Sequence, residues 1–338
     1  MIKHRIGLSA TVLVCLLGLS ACGGGGGSAG TPSNPAPTES PMLGISASNY
    51  QVVGQSAVSS AFFLNDTGGV ITGAETGSDP RLLRHAVDTA RRAMSVASGR
   101  QALLTGAEVR ETVPCSQGGS LAVTVTDVNN NGNFDLGDSL SLDAQSCKED
   151  GDVMNGRISL SVQALTGVYD SSNYSATLAM TLTAFNVTTG SDMAQGDGTI
   201  TLTVSQTPAG VGEVVLATSR LVLSGRAGGQ NFTTTLTDTK LTLRIETVNG
   251  SPRTSISYNS SLAGSGFDNK QVLITTPQPL VITGSDTYPS SGYLLVQGNA
   301  SSALRITAVN RTQARLELDA QGDGAYETQV LKTWAELE

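Results

Sequence analysis

Through most of the chain after Thr112, apolar and polar positions alternate one for one. Runs such as Leu121-Ala122-Val123-Thr124-Val125, Leu178-Ala179-Met180-Thr181-Leu182 and Leu304-Arg305-Ile306-Thr307-Ala308-Val309 carry the pattern. A period of two places successive side chains on opposite faces of an extended strand, so each run predicts a strand with one buried and one wet face. Gly, Asn, Asp and Pro fall between the runs, where turns need positive φ or a fixed φ. One stretch follows the helical period instead. Asp79-Pro80 supplies an N-cap and first-turn pair, Leu83, Val87, Ala90 and Met94 recur at helical spacing up to about residue 98, and Arg81, Arg84, Asp88, Arg91 and Arg92 lie largely off that stripe. The predicted fold is mainly β: a large curled antiparallel sheet, a half-barrel-like meander, with one N-terminal amphipathic helix packed on its concave side. A two-sheet β-sandwich is the alternative.

A short internal repeat supports the meander. Gly156-Arg157-Ile158-Ser159-Leu160-Ser161-Val162 recurs as Gly198-Thr199-Ile200-Thr201-Leu202-Thr203-Val204, and more weakly as Thr239-Lys240-Leu241-Thr242-Leu243-Arg244-Ile245. Such a period is the length of a small multi-strand unit, which cannot bury its own apolar face and must stack on its neighbours. Aromatic residues make up only 4% of the chain, so the core has to be built from Val, Leu, Ile and Ala.

The amino terminus reads differently. Lys3 and Arg5 precede an apolar run over 6–19 that is too short to span a bilayer as a stable helix and matches a secretory signal. The run closes on Leu19-Ser20-Ala21-Cys22, which resembles the lipobox of bacterial lipoproteins. The resemblance implies removal of residues 1–21 and acylation of Cys22, and Gly23, where an aspartate usually signals inner-membrane retention, implies the outer membrane. Residues 22–44 are dominated by Gly, Ser, Thr and Pro and predict a flexible tether. Residues 45–112 then form an N-terminal helix-containing segment, and 113–338 an antiparallel β domain. Loss of Lys3 and Arg5 takes the formal net charge from −8 to −10. Nucleic acid is excluded as a partner on that ground, and an acidic surface repelled by anionic lipid leaves the acylated Cys22 as the membrane attachment. Cys15 leaves with the signal and Cys22 is acylated, so Cys115 and Cys147 remain for a disulfide in an oxidising periplasm.

The sharpest chemical motif is Asp127-Val128-Asn129-Asn130-Asn131-Gly132-Asn133-Phe134-Asp135-Leu136-Gly137-Asp138. Oxygen side chains at positions 1, 3, 5, 9 and 12, with glycine at 6, suit a hard cation that takes six or seven oxygens. The loop resembles an EF-hand or dockerin-type calcium loop, which implies structural Ca²⁺ held by Asp127, Asn129, Asn131, the Asn133 carbonyl, Asp135 and Asp138. It departs from that pattern in carrying Asp138 where a longer Glu is usual and in being flanked by strands. An Asn/Gly-rich hairpin turn is the other reading of the same residues. Asp319-Ala320-Gln321-Gly322-Asp323-Gly324, followed by Glu327, matches only in part, because Val330 stands twelfth, and reads as a turn.

The Gly-Gly-Ser opening of the hairpin, Asn131-Gly132, Gly137-Asp138, Cys147 and Gly322-Asp323-Gly324 to Trp334 together resemble uncharacterised β-rich lipoproteins of Gram-negative bacteria. That resemblance brings no activity with it. His85, the only imidazole left after the signal, falls on the 79–98 helix with no nucleophile motif in the chain. The expectation is therefore a non-catalytic lipoprotein, anchored in the outer membrane and facing the periplasm or cell surface, that presents a β-scaffold to an envelope protein. A carrier of lipid or another apolar ligand in a half-barrel cavity is the second reading, and a hydrolase the third.

Overall fold

The computed structural model describes residues 41–72, 109–129, 135–167 and 172–337. The signal, Cys22, the tether up to residue 40, the 79–98 helix with His85, and Asn131 and Asn133 lie outside the described residues. Fourteen strands form one sheet in chain order, every neighbouring pair antiparallel. They are β1 (Val109–Pro114), β2 (Ser120–Thr126), β3 (Ser139–Glu149), β4 (Asp152–Thr166), β5 (Tyr174–Thr189), β6 (Asp192–Gln206), β7 (Gly212–Ala227) and β8 (Gln230–Val248). β9 (Ser251–Gly264), β10 (Gln271–Thr283), β11 (Ser291–Gln297), β12 (Ala303–Asn310), β13 (Gln313–Asp319) and β14 (Thr328–Thr333) complete it. The sheet does not close into a barrel. Two-residue turns drive the meander. Asp150-Gly151 and Asn249-Gly250 both have positive φ at each residue, the geometry whose twist matches paired strands.

The long central strands are bent along one line. In β3, β5, β7 and β8 the buried positions change parity, from Ala144 to Cys147, Leu182 to Phe185, Thr218 to Leu221 and Leu236 to Thr239. Each change marks a bulge, where one extra residue interrupts the ladder and bends the strand. The internal repeat is the other half of this device. In β4 the Asn155 side chain accepts the Ser146 N–H at 2.8 Å, and in β6 Asp197 accepts the Ala184 N–H at 2.6 Å, so each Asx holds the bulged residue of the strand before it. The next residue, Gly156 or Gly198, has φ of 93° or 139°. A Cβ on Gly156 would collide with the Ala184 carbonyl oxygen, and one on Gly198 with that of Arg220. The Asx-Gly pair thus lets two strands cross the fold line at close approach. In the third copy, Asp238 is itself the bulge at φ 46° and Thr239 replaces the glycine.

A helix that the sequence pattern had not marked fills the concavity. α1 (Tyr50–Thr72) buries Tyr50, Val53, Ala57, Val58, Ala61 and Phe62 on one stripe. It lies against β7, β8 and β9 on one side and β12 and β13 on the other, which requires the sheet to wrap around it. Gly54 faces Leu316, where a Cβ would come within 2.8 Å of Cδ2. The helix starts cleanly because Asn49 reaches back to the Ser46 N–H at 2.8 Å. Ahead of it, residues 41–43 run beside β10: Gln271 N–H donates to the Pro41 carbonyl and Leu43 N–H to that of Gln271.

The carboxyl end plugs one end of the roll. α2 (Trp334–Leu337) carries Trp334, fully buried, stacked on Tyr288 at 6.4 Å and tilted against Phe62 at 5.7 Å. Its Nε1–H donates to the Pro289 and Asn310 carbonyls, both at 3.2 Å. Glu336 accepts the Thr333 N–H and hydroxyl, both at 2.8 Å, and this capping holds its carboxyl below the ordinary range.

Candidate functional site

The 127–138 loop joins β2 to β3, and the structure settles how its ends are held. Thr126 pairs with Ser139, so the loop closes immediately beyond the ladder. Asp127 and Asp138 are both buried there. The Asp138 carboxylate accepts the Val128 N–H at 2.8 Å on one oxygen and the Asp135 N–H at 2.7 Å on the other. Asn129 donates its amide to Asp135 at 2.8 Å. The second leg is tied to β4, since Gly137 N–H donates to the Val162 carbonyl and Val162 N–H to that of Asp138. The spacing read as ligands therefore brings Asn129, Asp135 and Asp138 into one hydrogen-bonded loop with Asp127 buried at its root. An ionised carboxylate oxygen can accept more than the one N–H that each Asp138 oxygen takes here. Val128 and Leu136 stand exposed beside it at 66% and 56%.

Cys115 and Cys147 pair as a disulfide at the opposite end of β2 and β3, with Cα atoms 5.4 Å apart. Backbone bonds reinforce it: Gln117 N–H donates to the Lys148 carbonyl and Lys148 N–H to that of Gly118. The hairpin these features brace lies within the sheet. β1 and β4 flank it inside the sheet.

Two groups of three ligand-type side chains come within 4.8 Å among the described residues. One is Cys115, Cys147 and Glu149, whose cysteines are joined to each other and offer no thiolate. The other is Asp319, Asp323 and Glu327 in the β13–β14 connection. Asp319 there accepts the N–H groups of Gly322, Asp323 and Gly324 at 2.6, 3.2 and 2.8 Å, the turn-forming role expected of it.

Three further features were not anticipated. On the outer face, Glu317 receives Arg305 through two bonds of 2.8 and 2.9 Å, and Arg305 stacks over the Tyr326 ring at 4.2 Å. The Arg305 hydrogen bonds hold the Glu317 carboxyl below its usual range, and Glu317 in turn raises the Arg305 guanidinium. Alternation in β12 and β13 puts both on the wet face, and Glu317 is buried there among Arg305, Arg315 at 3.3 Å and the Thr307 hydroxyl, which donates to it at 3.3 Å. Inside, burial pushes the Tyr258 phenol up, and its hydroxyl donates to Ser60 of α1 at 3.1 Å.

The third feature is a groove of about 430 Å³ on the outer face of β1–β4. Its lining sets Arg110 and Arg157 beside Glu111 and Asp143, with Thr112, Thr124 and Ser141 and the apolar Ala122 and Val123, and Arg157 is paired with Asp143 at 2.9 Å. No helix of the described residues is long and apolar enough to cross a membrane. Comparison with protein-family models, curated proteins and solved structures finds no match to this chain.

Proposed function

We propose that this chain is a non-catalytic bacterial lipoprotein, held at the outer membrane by acylated Cys22, that presents the outer face and loop ends of its sheet to a partner in the cell envelope. The observation that supports a scaffold over a carrier is the filling of the concavity. Tyr50, Val53, Ala57, Val58 and Ala61 of α1 occupy the face on which an apolar ligand would lie, and Trp334, Tyr288 and Phe62 pack together at one end. A carrier needs an open apolar chamber that buries most of its ligand. In this reading Ca²⁺ is a structural ion of the 127–138 loop, adding to the bonds that Asp138 already makes.

Native mass spectrometry of the protein extracted from membranes tests the choice. The scaffold reading expects the mature chain with covalent acyl groups only. A stoichiometric, non-covalently held lipid would replace it with the carrier.

A further inference from the structure

Ahead of α1 the chain forms a strap, residues 41–45, and the sheet is shaped to hold it. Met42 makes a parallel bridge with Gln271, in which the Gln271 N–H donates to the Pro41 carbonyl at 2.9 Å and the Leu43 N–H to that of Gln271 at 2.8 Å. From the β11–β12 connection, the Asn299 N–H donates to the Leu43 carbonyl at 2.7 Å. The Ser302 hydroxyl there accepts the Ile45 N–H at 2.9 Å and donates to the Asn299 carbonyl at 2.8 Å. Leu43, Ile45 and Ser302 are all buried. Gly298 shows how closely the two surfaces meet. Its backbone, at φ −116°, lies in the extended region open to any residue. A Cβ there would nevertheless come within 2.4 Å of the Leu43 carbonyl oxygen, 2.7 Å of Ile45 Cγ1 and 2.8 Å of the Ser302 hydroxyl. The strap, with the hydroxyl that holds it, is what excludes a side chain at 298.

We propose that residues 41–45 are a load-bearing latch, which passes tension from the amino-terminal anchor into β10 and the β11–β12 connection and keeps it off α1. The proposal rests on the reading of Cys22 as the acylated residue, since any pull from there enters the folded body through Pro41. A scaffold that holds a partner while fixed to a bilayer is pulled from both sides. Only residues 46–49 separate the strap from α1, whose glycines, valines and serines make a weak helix that a pull on its first turn would unwind. The strap instead runs parallel to β10, so a pull back along it loads its bonds together, in shear. Asn49 also ties the strap to the helix start, accepting the Ser46 N–H at 2.8 Å and donating to the Gly44 carbonyl at 2.9 Å. The first residues of a folded body fray unless they are tied down, and these are tied by backbone bonds and two buried side chains.

The test is single-molecule pulling on the chain from residue 22 onward, unacylated and with its disulfide formed. One handle is attached to the Cys22 thiol and the other to Ala209→Cys, an exposed position between β6 and β7. At a fixed load, Ser302→Ala should release about tenfold faster than the parent, the size expected from one buried hydrogen bond, and Gly298→Ala at least as fast. A second geometry bypasses the strap, with handles at Ala209→Cys and the exposed Gln230→Cys and with Cys22→Ser. There both variants should hold as long as the parent. Variants that release like the parent when pulled from residue 22, or that weaken equally in both geometries, would overturn the latch. Should Gly298→Ala fail to fold, Ser302→Ala decides. The pulling needs no acyl group, so a failure of the anchoring reading would leave its outcome unchanged.

Discussion

At the level of single residues, the structure is governed by a few polar side chains that hold backbone groups. Asp138 ties two N–H groups of its loop, Asn155 and Asp197 hold bulges, and Glu317 gathers Arg305. Glu317 sits below its ordinary value of 4.5, so its contribution to stability is complete above that range and is lost as pH falls through the folded value. Glu317→Gln is therefore expected to cost about 1–3 kcal/mol at neutral pH. The gap from the parent should narrow in acid, as followed by urea unfolding, and a gap independent of pH would contradict the assignment. Gly198→Ala should cost about 1–3 kcal/mol or more by the same measurement, since the new Cβ meets the Arg220 carbonyl at a φ that alanine resists. For the calcium loop, chelator should lower the melting temperature of the parent and leave that of Asp127→Ala unchanged. Identical parent curves with and without chelator would remove the ion. The Asx-Gly pairs were visible in the sequence only as a repeat. Their work, an acceptor for the bulge of one neighbouring strand and clearance for a carbonyl of the other, depends on both neighbours and has no trace in local pattern.

At the level of elements, strands were legible and the helix was not. Period-two alternation survives within each half of β3, β5 and β8 because one face packs on the core, and turns such as Asn249-Gly250 punctuate it. The stripe Tyr50, Val53, Ala57, Val58, Ala61, Phe62 has helical spacing, yet Gly54, two consecutive valines and three serines give it weak helix propensity. Tertiary burial makes it a helix. The Cys115–Cys147 pairing was readable by elimination from cysteine number and compartment. It closes a loop with a sequence separation of 32, for which chain entropy assigns about 3–4 kcal/mol. Cys115→Ser with Cys147→Ser should lose about that much stability under oxidising conditions and make the protein insensitive to reductant. A variant as stable as the parent would show that the backbone bonds of Gln117 and Lys148 suffice.

At the level of the whole molecule, a sheet of fourteen strands solves its burial problem by curling around α1. The outer face carries Ser and Thr positions and the groove on β1–β4, and the ends carry loops. The groove could not be read from the sequence, because it depends on which residues of β1 to β4 share a row, and register is set by bulges. The proposed place of this scaffold in the cell depends on Cys22. Metabolic labelling with an alkyne fatty acid, combined with membrane fractionation of the parent and Cys22→Ser, tests it most directly. The account predicts a labelled parent in the outer-membrane fraction and an unlabelled variant that leaves it. An unlabelled parent, or a variant that stays processed and membrane-bound, would contradict it.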